Sequence, residues 1–463
     1  MLLKAYAEFP LGFRDHYSAD YSGYQSAGDF SWESARGQPN GVPDILDEVK
    51  YATDYFIRCA RGSARFYYQV GEGDKDHKNW VTSVKMATLS ADQGGQPRTV
   101  FSNPAGSSMA SFCAATLALM ARVYRRFDAA YADRCLAHAL YAYEYAKAHP
   151  GSAGAADGGY YPANARWEDD FVIMTTELYF TTQDTKYRDE AAQKAGQVGD
   201  HYWSLCYNNN DDLALYNLAV MGSANAKSRL NSIVNRYKSS VTSDGVGSTG
   251  SEWGILRYSA GQAFAAALNA KLQGAGLDPL VHNTVDYIMG GNAAGQSFIV
   301  GYGAKSPQHP HHRNVFLNDD NVADDAKNGL QIPSRNRQHG YMVGGSLDPH
   351  AFVDDINTYQ YTEGGIDYNC GLVGALGAVV AALAPVDTST VDGNLRRAVS
   401  ARHCPVSRSI LWLPTGARYY SQGGRGQADA IPPAGAVLTP AGRVLSAGAE
   451  HGPAARVFIG RRD

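Results

Sequence analysis

The chain lacks most of the features by which a sequence points to its partners. No apolar run approaches the roughly 20 residues needed to cross a bilayer, so nothing calls for a membrane. The formal net charge is only −4 over 463 residues, which offers neither the basic face that nucleic acid requires nor a patch for an anionic lipid surface. Its six cysteines (Cys59, Cys113, Cys135, Cys206, Cys370 and Cys404) include no Cys-x-x-Cys pair. Several fall on apolar helical faces, so buried free thiols are expected in place of disulfides or metal ligands. The opening MLLKAYAEFP is no export signal, because its apolar part is short and Glu8 interrupts it. Strand signals are sparse, which points to an all-α chain.

Hydrophobic residues make up 44% of the chain and charged residues 19%, the balance of a globular protein with a large core. The length suits one large domain or two to three smaller ones. Thirty Tyr and 49 Gly are many. Tyr joins a flat apolar face to a hydroxyl, though most of the thirty read as packing at helix contacts.

Residues 2–9 read as the end of an amphipathic helix stopped by Pro10. A Gly/Ser/Tyr-rich loop follows to Pro43. Ile45, Val49, Ala52, Phe56 and Ala60 are spaced for one buried face of a helix over 44–61. The stretch 62–105, carrying Trp80, has no helical pattern; a segment that long reads as a functional loop, a candidate wall of a substrate groove. Helices are predicted at about 107–126, 128–148, 167–182, 185–204, 211–221, 225–238, 255–273 and 277–290, several opening on a capping Asp or Ser. Residues 291–365 break into loops, and 366–384 is again helical. Beyond Pro385 the composition shifts to Arg, Gly, Pro and Ala with few acids. The chain thus divides into a helical part, 1–385, and a basic tail or small β appendage, 386–463.

Two loop stretches carry the chemistry. Phe352–Asn369, FVDDINTYQYTEGGIDYN, holds Asp354, Asp355, Glu363 and Asp367, with Asp348 just upstream, among Tyr359, Tyr361 and Tyr368. Glu363, flanked by Thr362 and Gly364-Gly365, suits a general acid, with burial able to raise its pKa and glycines admitting a substrate. Taken alone, the same residues also read as an ordinary polar loop, with Thr362 capping the following helix and the acids serving its dipole. Ser297–Arg313, SFIVGYGAKSPQHPHHR, ends in a proline-stiffened run whose His311 and Arg313 can donate to hydroxyls. A metal site at His309, His311 and His312 is disfavoured. Adjacent histidines on an extended loop point apart, and no further Cys/His spacing accompanies them.

Together these stretches resemble family 9 of the glycoside hydrolases, the inverting cellulases. Ser297, Val300, Gly303, Lys305, Pro310, His311 and Arg313 match one family pattern; Phe352, Asp354, Tyr359, Glu363 and Asn369 match the other. Gly365 and Cys370 depart from its usual small residues. Weaker echoes are Asn40–Glu48, Glu177-Leu178-Tyr179 and Trp253-Gly254. The resemblance implies an (α/α)6 barrel and endo-hydrolysis of β-1,4-glucosidic bonds with inversion. It makes Glu363 the general acid, assisted by Asp354, with His311 and Arg313 on sugar hydroxyls and Tyr368 and Trp253 as stacking platforms. Trp253 reads equally well as a core residue. In the family, a loop Asp-Ala-Gly-Asp carries the base. Ser26-Ala27-Gly28-Asp29 imitates it, but only about a dozen residues before Asn40-Gly41-Val42-Pro43. Asp29 is therefore read as a loop residue, the base is expected upstream of Met1, and the barrel is expected to lack its first helix. An exo-acting, processive relative and a glycan-binding protein with impaired catalysis are the alternatives. The expected partner is a β-glucan, the state a monomer and the location secreted or periplasmic. No cofactor is required. A structural calcium is compatible with the resemblance, although Asn318-Asp319-Asp320 with Asp324-Asp325 lacks an EF-hand pattern and reads as a solvated loop.

Overall fold

The computed structural model describes residues 1–16, 39–81, 83–155, 166–199, 203–250, 253–313 and 338–383, together with the backbone of four strands beyond 407. Asp29, the acidic run 318–325 and Cys404 lie outside the described residues. The helices fall close to the positions that periodicity assigns. Where Asp precedes an apolar-periodic run it caps the helix: Asp128 accepts from the Tyr131 amide, Asp184 from Lys186 and Asp278 from Leu280, with Pro279 in the first turn. The predicted 185–204 helix is shorter, Thr185–Lys194 followed by one tight turn to Gln197.

The described chain forms two compact units. The first comprises Met1–Glu8, Phe13–Arg236 and His312–Asn336. At its centre Ser108–Tyr124 packs against both Ala129–Ala148 and Glu168–Thr182. Ala110, Ala114, Ala118 and Ala121 on the central helix are wholly buried, and such small side chains let neighbouring backbones approach. The segment read as a loop wall is in part a sheet. Ala60–Gly62, Arg65–Val70 and Val100–Ser102 pair antiparallel, with Tyr67 opposite Ser102. The intervening chain holds short helices, Gly73–Asp76 and Ser83–Thr88. Helix Asp44–Cys59 buries Ile45 and Val49 as expected, but its face continues through Thr53 and Cys59.

An ion network closes this unit. Lys4 lies 2.6 Å from Glu177, which Arg122 also contacts at 2.6 Å, and Asn217 donates to the same carboxylate at 3.0 Å. Lys4 and Glu177 are 4% and 1% exposed, so their charges are satisfied by each other rather than by water.

The second unit contains Phe9–Gly12, Tyr237–His311 and Arg337–Asp463. Ile255–Gln273, buried from Ile255 through Leu256 and again from Tyr258 through Ala270, is its axis. A helix buried around its whole circumference belongs to a core, even with Ser259, Gln262 and Asn269 on it. Pro279–Ile288 and Tyr368–Leu383 pack on it. Beyond residue 407, Arg408–Trp412 pairs with Arg418–Gln422 and Val437–Leu438 with Val444–Leu445. Among the described residues Cys59, Cys113, Cys135, Cys206 and Cys370 are buried free thiols, and no helix is long and apolar enough to cross a membrane.

Candidate active site

Three backbone segments of the second unit are laced together around Glu363. Gly254 donates its amide to Gln360, Leu256 to Gly344, Gly344 to Glu363 itself and Gly345 to Tyr361, at 2.7–3.1 Å. Asn369 ties in the third segment, accepting from the Met342 amide at 3.0 Å and donating to the Gly340 carbonyl at 2.7 Å. Glu363 ends the short helix Tyr359–Thr362 with its backbone already extended (φ −69°, ψ 149°). Its amide donates to Tyr359, so the main chain of Glu363 is held at both N–H and C=O. The side chain is half-buried, and its Oε2 accepts from the Trp253 indole Nε1 at 2.9 Å. Thr362 does not cap the next helix, which begins at Tyr368. Its hydroxyl donates to the Asp355 carbonyl at 3.0 Å.

The glycines after Glu363 serve a purpose different from the one expected. A Cβ on Gly364 would stand 2.5 Å from the Tyr341 ring and 2.7 Å from the Met342 carbonyl. The space is occupied by Tyr341, not kept for a substrate. Burial pushes the Tyr341 hydroxyl well above its ordinary range, with the Glu363 charge adding to the shift.

Trp253, Tyr359 and His311 form a chain of ring contacts that begins at the Glu363 carboxyl. The Trp253 and Tyr359 rings are 5.1 Å apart and tilted, and His311 lies 5.7 Å from Tyr359. Trp253 is 48% exposed and Tyr359 38%, so Trp253 is not a core residue. His311 is fixed twice: its amide donates to Thr362 at 2.9 Å, and its Nδ1 meets the Ile356 carbonyl at 2.5 Å. That contact places the proton on Nδ1 and makes Nε2 the acceptor nitrogen of the ring. Tyr359 was recognised only as a motif position; its exposure is what distinguishes it.

The other predicted site residues are placed differently. Tyr368 is 3% exposed, with the Arg257 guanidinium 4.7 Å over its ring. Its face is covered and offers no platform. Asp354 is a clamp on the loop before His311: its carboxylate accepts from the Gln308 amide at 2.7 Å and the His309 amide at 3.0 Å. It also borders a cavity of about 750 Å³ lined by Lys305, Gln308, His350 and Phe352. Arg313 belongs to the first unit, where it donates to the Asp76 carbonyl at 2.7 Å and lies 5.7 Å over Trp80.

Among the described residues no group of three or more His, Cys, Asp or Glu is arranged to hold a metal ion. A buried acidic group does occur in the first unit, at the starts of helices Glu168–Thr182 and Asp211–Val220. Asp169 accepts from the Asn210 amide and Asp211 from Gly199. Burial and mutual repulsion push Asp169 up, and Asp170 well up, from the usual carboxylate range. Sequence reading missed this group because its members come from separate helices.

The chain is similar to characterised proteins over most of its length. It is 30% identical over 307 residues to endoglucanase A of Fibrobacter succinogenes, covering 61% of this chain and 65% of that protein. With endoglucanase B of Cellulomonas fimi it shares 26% over 400 residues, 79% of this chain and 37% of the relative. The matched regions are thus less than two thirds of those proteins. Among solved structures, the cellulase Cel9M of C. cellulolyticum in complex with cellobiose is 30% identical with a TM-score of 0.64, covering 82% of this chain and 84% of its own. An endoglucanase from the termite Nasutitermes takasagoensis is 27% identical with a TM-score of 0.65, covering 82% and 85%. The all-α, (α/α)6-barrel class implied by the two motifs is the fold class of these relatives. With the family profile described as "Glycosyl hydrolase family 9" matching residues 1–376, the chain belongs to glycosyl hydrolase family 9.

Proposed function

We propose that the chain cleaves internal β-1,4-glucosidic bonds of cellulose and related β-glucans with inversion at the anomeric carbon. The observation that carries this reading is Glu363, half-buried and hydrogen-bonded to Trp253, whose indole lies 5.1 Å from the exposed Tyr359 ring. An oriented carboxyl beside flat aromatic faces suits a sugar ring stacked at the point of cleavage. The relatives named as endoglucanases, and the related cellulase holding cellobiose, support this substrate class.

In the proposed step Glu363 gives its proton to the glycosidic oxygen as the C1–O bond breaks. Water attacks C1 from the opposite face, and its proton passes to a second carboxylate. In inverting enzymes the two carboxyls stand about 6.5–9.5 Å apart to admit that water. Asp29, read from the sequence as a loop residue and not as the base, lies outside the described residues. His311 Nε2 is assigned to a sugar hydroxyl.

Carboxymethylcellulose is the test substrate. Viscosity should fall faster than reducing ends accumulate, and early products seen by proton NMR should be the α anomer. β-anomeric first products, or retention on cellulose without hydrolysis, would overturn the reading.

Asp354 is assigned a positioning role, because both amides it accepts belong to the loop leading to His311. An Asn there can replace only one acceptor oxygen. Asp354→Asn is expected to lower kcat/KM about tenfold, the order of one charge-assisted hydrogen bond. A positioning defect should be equal for aryl cellobiosides with good and poor leaving groups. A loss that shrinks as the leaving group improves would make Asp354 part of the proton transfer instead.

A further inference from the structure

The geometry points to Trp253 as a positioning residue that selects which oxygen of Glu363 delivers the proton. The inference rests on Glu363 being the acid. An indole N–H can only donate. Its nitrogen lies 2.9 Å from Oε2, so Oε2 is an acceptor there. In the neutral acid the carbonyl oxygen is the better acceptor, so Oε2 takes that place, the proton resides on Oε1, and Oε1 is the oxygen that delivers it to the glycosidic bond.

The indole is built into this position. Gly254, next in the chain, has φ +61°, a left-handed conformation that favours glycine. A Cβ on it would stand 2.4 Å from the Tyr368 hydroxyl. Its amide bonds Gln360 at 3.0 Å, and a Cβ on Gly344 would stand 3.0 Å from its Cα. The turn therefore cannot slide along the segment that carries the acid. The Tyr359 ring, 5.1 Å away, sets the tilt of the indole. With 48% of Trp253 exposed, one edge holds the acid while much of the remaining surface stays open.

As the proton leaves Oε1 for the glycosidic oxygen, the electron pair of the O–H bond stays on the carboxylate. The negative charge that builds there meets an N–H already aimed at Oε2. That hydrogen bond strengthens in the transition state and so accelerates the step rather than merely binding substrate.

Trp253→Phe keeps a flat apolar face and deletes the donor. On cellooligosaccharides kcat should fall about 10- to 100-fold, the range of a hydrogen bond to a charged group, with KM little changed. The alkaline limb of the pH–rate profile should move to higher pH, because the charged carboxylate has lost a donor. A rise in KM with kcat and the pH profile unaltered would reduce Trp253 to a stacking platform and overturn the inference. A second readout needs no turnover. The indole N–H resonance lost in Trp253→Phe should follow pH in the unmodified protein and stop doing so in Glu363→Gln. If that resonance is indifferent to Glu363→Gln, the hydrogen bond is absent in solution and the inference fails, whether or not the protein hydrolyses glucans.

Discussion

Glu363→Gln is expected to lower turnover of cellulose a hundredfold or more, since general acid help is typically worth about 10²–10⁴-fold. The substitution is close to isosteric. The Gln carbonyl oxygen can still accept from Trp253, and the backbone bonds of residue 363 to Tyr359 and Gly344 do not involve the side chain. The variant should therefore fold as the parent does, and its defect should report on the proton alone. Aryl cellobiosides whose leaving groups need little protonation should lose much less, because the lost step matters less to them. Near-normal cellulose hydrolysis by Glu363→Gln would remove Glu363 from the acid role. A uniform loss on every substrate, with a lowered melting temperature, would indicate damage to the scaffold.

The largest effect on stability is expected at Glu177. Burial alone would raise the pKa of this carboxyl, but Lys4 and Arg122 more than offset it and hold it down, from an ordinary 4.5 to about 2. The folded pKa is thus depressed, so the contribution is fully present above the unfolded value. It is lost as pH falls from about 5 towards 2. At 1.36 kcal/mol per pH unit, the contribution is roughly 3 kcal/mol. Glu177→Gln leaves Lys4 buried at 4% exposure with its main counter-charge gone, and breaking such a pair costs about 3–5 kcal/mol. Thermal unfolding at pH 7 should register this as a drop of several degrees, and the variant should lose less stability on acidification than the parent. Adding Lys4→Met to Glu177→Gln should recover part of the loss, since a buried thioether needs no partner. Unchanged melting in Glu177→Gln would mean that the network is not closed in solution.

Local pattern alone located most helices. The Ile45–Val49 spacing and the Asp caps at 128, 184 and 278 act within one or two turns, so a sequence window contains their whole cause. The two motifs likewise marked Glu363 and His311 from residue types and spacing. The sheet at 60–102 was not legible in this way, because its short strands are defined by pairings such as Tyr67 with Ser102 and not by a period of their own. Nor did any local signal separate Trp253 from Tyr368, two aromatics near helix starts. Arg257 covers one, while the Gly254 turn presents the other to Glu363. Asp354 and Glu363 share one motif, yet the amides of residues 308 and 309 engage one carboxylate and an indole engages the other. Helix position is decided by neighbours in sequence. Exposure and hydrogen bonding are decided by partners brought in from distant segments, and only the tertiary structure supplies those.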